Sequence, residues 1–381
     1  MDLLRDHLGF YEVNGKKFRS KLQALQTCKN KEWPTWNFNE AVFSEFNWKK
    51  EPPQPLYELY KKRAMQIREK YDRVILFYSG GIDSTAMLRS FVDNDIKIDA
   101  VVSYGCFSLY DNKSLLRNLE IYRSAIPYIK QLQKTYKYKL NYYLLDDWAQ
   151  FLKFKDESWT TVSGTSSLRP EGYAFNFFHE NNFIKNIMNQ GKTVLLRGID
   201  KPRILYDVNT KKWSLSFLDC AITGLDSHGL SEKTNSWYAL EYFYWAPDLP
   251  ELLCKQAHII KKNFENYSLE FKQRMFGKGN FDFDTQEYYN YIDPLIYSRY
   301  TTQTIGQKRN YFTLGKGGST NITLKDTEFF RYADTKIKNV WFSGMKYVAD
   351  SVDHMYFNQS GLKGFMKKGF IGIWTKSYEI N

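Results

Sequence analysis

Val74-Ile75-Leu76-Phe77-Tyr78-Ser79-Gly80-Gly81-Ile82-Asp83-Ser84-Thr85 is an apolar run that stops at a Ser-Gly-Gly turn and restarts as Ala86-Met87-Leu88. The run is short, aromatic and β-branched, with Asp72 and Arg73 before it and glycines after it, which predicts a buried strand rather than a helix. Gly80 and Gly81 can take dihedrals closed to other residues and leave room for an anion to approach the backbone. The helix expected from about Asp83 or Ser84 points its unpaired N–H groups and positive dipole end into the same loop. Ser79, Ser84 and Thr85 add hydroxyl donors, and Asp83 supplies a carboxylate for a magnesium ion. The stretch reads as a strand, a phosphate-sized loop and a helix, against the plainer reading of a turn between two elements.

Five such positions (Ser, Gly, Gly, Asp, Ser) coincide by chance at roughly one site in a million. No Gly-Lys-Ser/Thr follows at the distance a Walker A loop requires. The Ser79–Thr85 run resembles the PP-loop of the N-type ATP pyrophosphatases, the superfamily of asparagine synthetase, GMP synthetase, NAD synthetase, tRNA lysidine synthetase and the queuosine-pathway enzymes. The resemblance implies a reaction type: a substrate oxygen attacks the α-phosphorus of ATP, pyrophosphate leaves, and a nitrogen or sulfur nucleophile displaces AMP from the adenylated product. It implies that Ser79, Gly80, Gly81, Asp83, Ser84 and Thr85 grip the pyrophosphate, with Mg²⁺ sharing the charge.

The 381 residues allow one large or two ordinary domains, and 25% charged with 43% hydrophobic residues predicts a soluble globular chain. No apolar run is long enough to span a membrane, and the start Met1-Asp2-Leu3-Leu4-Arg5-Asp6 lacks the blocks of a signal peptide, so the expected location is the cytoplasm. The net charge of +12 and 18% aromatic residues suit nucleic acid, an ATP-handling enzyme, or simple compositional drift with scattered lysines. Cys28, Cys106, Cys220 and Cys254 lie far apart, which argues against structural zinc and a disulfide framework. Within the superfamily this weakens the sulfur-transferring and queuosine-type branches.

Residues 1–54 are aromatic and irregular, read as an arm that packs its rings on the main domain or, alternatively, as a substrate or partner platform. Leu56, Leu59, Tyr60, Ala64 and Ile67 repeat at a helical period. A second strand is expected over residues 96–103, parallel to the first. In the related enzymes its end meets adenine, which makes Ser103, Tyr104 and Gly105 candidates; Tyr104 reads equally as a rim aromatic. Residues 112–135 form a helical pattern that Pro127 divides. A third strand is expected over 140–145, ending at Asp146-Asp147, which cap the next helix or face the site. Residues 161–172 read as a polar cover over bound ATP, and residues 175–188 as a helix.

Residues 192–196 form a clear strand that runs into Arg197-Gly198-Ile199-Asp200-Lys201-Pro202-Arg203. In a parallel sheet this loop opens on the same crevice as the phosphate loop. It resembles the Gly-x-Gly-x-Asp-Glu loop of asparagine synthetase and β-lactam synthetase at Gly198 and Asp200, which implies a second magnesium contact from Asp200. Arg197 and Lys201 stand where those enzymes have acids. Either Arg197, Lys201 and Arg203 clamp a phosphate or anionic substrate, or the loop is unrelated and salt-bridged.

A hairpin is expected over residues 204–218, turning at 209–211, and a helix over about 252–264. Lys255 and His258 share a face of that helix, as an acid and base or as structural residues, and the same question attaches to Glu241 and Asp248. The loop at 315–320 reads as a solvated turn or a backbone nest for an anion, and residues 370–375 as a strand.

The expected architecture is an α/β, doubly wound, mostly parallel sheet of the PP-loop type over residues 55–220, with a helical and irregular C-terminal region over 221–381 closing the site. The expected function is ATP-dependent adenylation of a carboxylate or carbamoyl oxygen, followed by C–N bond formation. Asp83, Asp200, Lys201 and Arg197 would be catalytic, and Asp83 and Asp200 would hold the metal. Asp2 stands where glutamine-using members have a nucleophilic cysteine, so the expected nitrogen donor is ammonia or an amine. A base in RNA or DNA as acceptor and a non-catalytic nucleotide-binding protein are the alternatives.

Overall fold

A computed structural model describes residues 9–18, 21–29, 32–105, 107, 120–136, 140–146, 181–198, 201–219, 238–277, 285–298 and 373–381, with isolated positions between 335 and 352. The first elements are β1 (Phe10–Val13), β2 (Lys16–Phe18), α1 (Lys21–Thr27), β3 (Thr35–Asn37) and α2 (Glu40–Glu45). The N-terminal arm is thus more regular than expected: β1 is the middle strand of an antiparallel sheet of order β2-β1-β3. The overlooked signal is Asn14-Gly15, both at positive φ, forming a two-residue loop between the paired Val13 and Lys16. This is the dipeptide that primed hairpin turns favour. Trp36, Phe38, Phe43 and Trp48 of the arm are buried, with the Phe38 ring 5.3 Å from Phe217 and 5.5 Å from Trp245, whereas Trp33 is exposed.

The chain continues through α3 (Leu56–Lys70), β4 (Arg73–Phe77), α4 (Ile82–Val92) and β5 (Ala100–Gly105). The buried face of α3 carries Leu59, Tyr60, Ala64 and Ile67 at the expected period, together with Arg63. The strand predicted from Ile96 begins only at Ala100. Ile96 N–H still bonds Phe91 O behind α4, and the Asp99 carboxylate takes the Val74 N–H, so residues 96–99 form the helix-to-strand connection. A π turn (Ile121–Ala125) leads into α5 (Ile126–Tyr136). Pro127 lies just after that turn, where its missing N–H and ring disfavour a regular helix through this point. β6 (Tyr142–Asp146), α6 (Asn182–Met188) and β7 (Thr193–Arg197) follow.

β8 (Arg203–Asp207) and β9 (Lys212–Ser216) form the expected hairpin, its turn held by Asp207 Oδ1, which accepts from Asn209 N–H at 2.9 Å. β10 (Tyr238–Tyr242) then enters the main sheet, followed by α7 (Pro250–Phe264), α8 (Leu269–Phe276), α9 (Thr285–Ile296) and β11 (Tyr378–Glu379). β10 was not anticipated: Tyr238, Leu240 and Tyr242 alternate with Ala239 and Glu241, but the apolar run continues through Phe243-Tyr244-Trp245-Ala246 and blurs the period. Of the strand expected over 370–375, residues 370–372 lie outside the described residues and Trp374 makes an isolated bridge to Leu218; β11 is the strand that pairs with β9.

The main sheet is α/β with five parallel strands in the order β10-β7-β4-β5-β6. From β4 the chain steps outward to β5 and β6, then returns to the other side of β4 for β7 and β10. The order therefore reverses between β4 and β7, as in doubly wound sheets. Val74, Ile75, Leu76, Val194, Leu195 and Leu196 in these two strands are fully buried, which accounts for their continuous apolar sequence.

Glu241 at the end of β10 ties the sheet to α3. Its carboxylate accepts from Arg63 at 2.6 Å, Lys70 at 2.7 Å and Tyr71 OH at 2.5 Å. Burial opposes its ionisation, but Arg63, Lys70 and Tyr71 outweigh that and hold its pKa at about 2. A depressed carboxylate stabilises the fold fully above its ordinary pKa of 4.5 and loses that contribution as pH falls through about 2. Glu241→Gln leaves Arg63 buried without its counter-charge, and we expect a loss of about 3–5 kcal/mol at pH 7 in urea unfolding. The variant should also lose stability less steeply than wild type between pH 4.5 and about 2.

Candidate functional site

Where β4 and β7 part, their carboxyl ends lie level, Phe77 paired with Arg197, and Arg197 also paired with Tyr242 of β10. Ligands of open α/β sheets bind in this crevice. The loop at residues 79–81 leaves β4 here and enters α4, with Gly81 as its extended N-cap residue. The first N–H groups of an α-helix have no intrahelical partner, so this end suits an anion.

The loop is held from three sides. Gly80 has φ +82°, and a Cβ there would lie 2.8 Å from the backbone nitrogen of Ala125 in the π turn. Ser124 of the same turn donates its hydroxyl to Gly80 O at 2.8 Å. Gly198 sits against the first turn of α4, where a Cβ would lie 3.1 Å from Ser84 Cα. Within the loop, Ser79 and Ser84 hydroxyls lie 3.2 Å apart, Gly81 N–H donates to Ser79 Oγ, and Ser84 Oγ donates to Gly81 O. Ser79 is exposed, whereas Thr85 is fully buried with its hydroxyl 3.3 Å from that of Tyr78.

Asp83 occupies the second position of α4. Lys201 Nζ lies 2.7 Å from its Oδ2 and 3.5 Å from Asp293 Oδ1 on α9. The ammonium is 4.3 Å from the Tyr289 ring centre, and the lysine side chain is only 4% exposed. Asp83 Oδ1 is buried and, among the described residues, has no hydrogen-bond donor within bonding geometry. Tyr244 OH donates to Asp83 O at 2.7 Å. Tyr297 stands beside the carboxylate, and its phenol pKa is pushed up by burial and then by the Asp83 charge. An anionic oxygen left without a partner beside a phosphate-sized loop fits Mg²⁺. Among the described residues no three His, Cys, Asp or Glu side chains are gathered, so phosphates and water would supply most ligands, as is usual for this ion.

Of the two readings of the loop after β7, the ion pair is the one observed for Lys201. Arg203 turns to Tyr289, its guanidinium 5.1 Å from the ring centre and bonded to the hydroxyl. Arg197 is buried at the end of β7 and 7% exposed. Asp200 lies outside the described residues, as do Asp147 and the segments 161–172 and 315–320. Ser103 is buried, donating to Tyr78 O and accepting from Tyr142 OH at 2.8 Å, so both roles of its hydroxyl are internal. Tyr104 lies in β5 at the level of Leu145.

The acid and base reading of α7 gives way to a structural one. His258 Nε2 meets Trp48 O at 2.9 Å, and Lys255 bonds Glu51 and Pro52 O, so this face pins residues 48–52. Glu241 and Asp248 likewise pair with Lys70. Asp293, Tyr244, Tyr297 and Ser124 were not foreseen. The one signal for Asp293 is that it is the sole acid in the aromatic run 288–296.

Compared with protein-family models the chain matches none, and comparison with curated proteins finds no significant match. Among the described residues no helix is long and apolar enough to cross a membrane.

Gly80→Ala would force a side chain into the π turn at a φ that L-residues rarely adopt. We expect it to cost about 2 kcal/mol or more in thermal or urea unfolding, whereas Gly81→Ala, at φ −77°, should cost less.

Proposed function

We propose that the chain is an ATP-dependent adenylating synthetase of the PP-loop type, converting ATP to AMP and pyrophosphate. The observation that carries this reading is the position of the Ser79-Gly80-Gly81 loop at the reversal of strand order, with α4 starting directly behind it. Loop N–H groups and the Ser79 hydroxyl bind the pyrophosphate portion, and Gly198 keeps the neighbouring strand end close. Mg²⁺, when bound through Asp83, shares the charge that builds on the departing pyrophosphate.

The acceptor is a carboxylate or carbamoyl oxygen, which attacks the α-phosphorus as the bond to the β-phosphate oxygen breaks. Ammonia or an amine then attacks the adenylated carbon, AMP leaves, and the nitrogen loses a proton. Lys201 and Arg197 supply cationic side chains near this chemistry, both shielded from water. The net charge of +12 keeps a base in RNA or DNA as the alternative acceptor. The cytoplasm, where ATP is available, is the proposed location.

The test is release of AMP and pyrophosphate from [α-³²P]ATP with Mg²⁺, over pools of amino acids, small carboxylates and nucleic acids. We expect release from a carboxylate or amide pool and a loss of about 100-fold or more in Asp83→Ala. Stimulation by nucleic acid that falls steeply with salt would move the acceptor to the alternative class. ADP and phosphate as products would overturn the adenylating chemistry.

A further inference from the structure

We propose that Asp83 and Asp293 form a two-carboxylate site for a divalent cation, centred where the Lys201 ammonium lies. The proposal rests on the reading of the loop at 79–81 as a metal–polyphosphate site.

Three elements converge on one small volume. Asp83 comes from the first turn of α4, Lys201 from the loop after β7, and Asp293 from α9. The approach of α9 is fixed next to Lys201, because Tyr288 OH donates to Pro202 O at 3.0 Å and meets Ile204 N–H at 3.3 Å. Asp293 is thereby held at the lysine rather than placed there by a mobile loop. Its side chain is 13% exposed and that of Asp83 is 25% exposed, so neither carboxylate is a fully solvated surface charge.

Two carboxylates aimed at one point repel each other unless a cation lies between them. Here the cation is the ammonium, 2.7 Å from one and 3.5 Å from the other. Its hold engages one oxygen of Asp83: Oδ2 meets the ammonium, while Oδ1 accepts no hydrogen bond from any described residue. A divalent ion brings twice the charge and prefers several anionic oxygens, so it competes directly with Lys201 for this position. The ammonium already lies 4.3 Å from the centre of the Tyr289 ring, an attraction that does not depend on the carboxylates and would persist once a metal takes them. Metal entry and release of the lysine thus become one exchange. The lysine keeps the carboxylates paired until the metal arrives.

The probe is Mn²⁺ alone, followed by electron paramagnetic resonance on the full nucleotide-free chain. Lys201→Gln unmasks the carboxylates and should tighten Mn²⁺ binding by about tenfold or more. Adding Asp83→Asn or Asp293→Asn to Lys201→Gln should each remove that gain. A folded Lys201→Gln chain with wild-type Mn²⁺ affinity, or a gain that survives loss of Asp293, overturns the proposal. Lys201→Met serves as a second unmasking variant, with thermal melting as the control for folding. Should neither lysine variant fold, Asp293→Asn alone decides: the affinity for Mn²⁺ with α,β-methylene-ATP must fall about tenfold, and an unchanged value overturns the site. A nucleotide arm keeps the two readings separate. Failure of the analogue to bind while the Mn²⁺ gain persists would sink the adenylating function and leave the cation site standing.

Discussion

Close backbone approach at the switch point of the sheet is the constraint on which the site depends. Gly80 lies against Ala125 on one side, and Gly198 lies against Ser84 on the other. A single added Cβ on either side would separate elements that now touch. The loop at 79–81 is therefore shaped by its neighbours as much as by its own residues, and its opening is walled by the π turn, the end of β7 and the residues after β10. This explains why an unusual helical turn occurs where it does. The π turn places Ser124 so that its hydroxyl meets Gly80 O while Ala125 is small enough to let the loop come close.

Among the described residues, two kinds of buried ion pair stand apart. Arg63–Glu241 and Lys21–Asp219 are enclosed and surrounded by further donors: Glu241 also takes Lys70 and Tyr71, and Asp219 takes Tyr11 OH and Ile373 N–H. Such pairs join distant segments, α3 to β10 and the N-terminal arm to the residues after β9, and their removal is costly because each leaves a charge behind. Lys201–Asp83 differs. It sits next to a phosphate-sized loop, it has a second carboxylate within reach, and one Asp83 oxygen accepts nothing from the described residues. Enclosed, fully bonded pairs hold the fold together. A pair left partly unsatisfied beside the N-terminal end of a helix is where a ligand would have something to gain.

The N-terminal arm shows how composition misleads when a short-range signal is passed over. Its density of Trp and Phe suggested irregular structure, and the rings do pack into the common core. The Asn14-Gly15 pair nonetheless sets a hairpin, because positive φ at two successive residues turns the chain in the sense that twisted strands require. β10 shows the opposite limit. Within Tyr238–Tyr242 the alternation is only five residues long and runs on into further aromatics, and pairing with β7 is what makes it a strand.

From sequence alone, the strand–loop–helix unit at β4 and α4, the buried faces of α3 and α7, the β8–β9 hairpin and the strand at β7 were all readable. Each rests on periodicity or on turn and capping chemistry within a few residues, and such preferences act before the chain is folded. Tertiary structure decided the partners. Lys201 meets Asp83 across 118 positions in sequence, Asp293 reaches the same ammonium from α9, His258 is spent on Trp48 O, and Ser103 turns inward to Tyr78 and Tyr142. A charged or hydroxyl side chain carries no local record of which distant group will share its burial. That is set by how strands order themselves in the sheet and which helices then cover it, since burial makes an unpaired polar group expensive wherever the packing happens to place it.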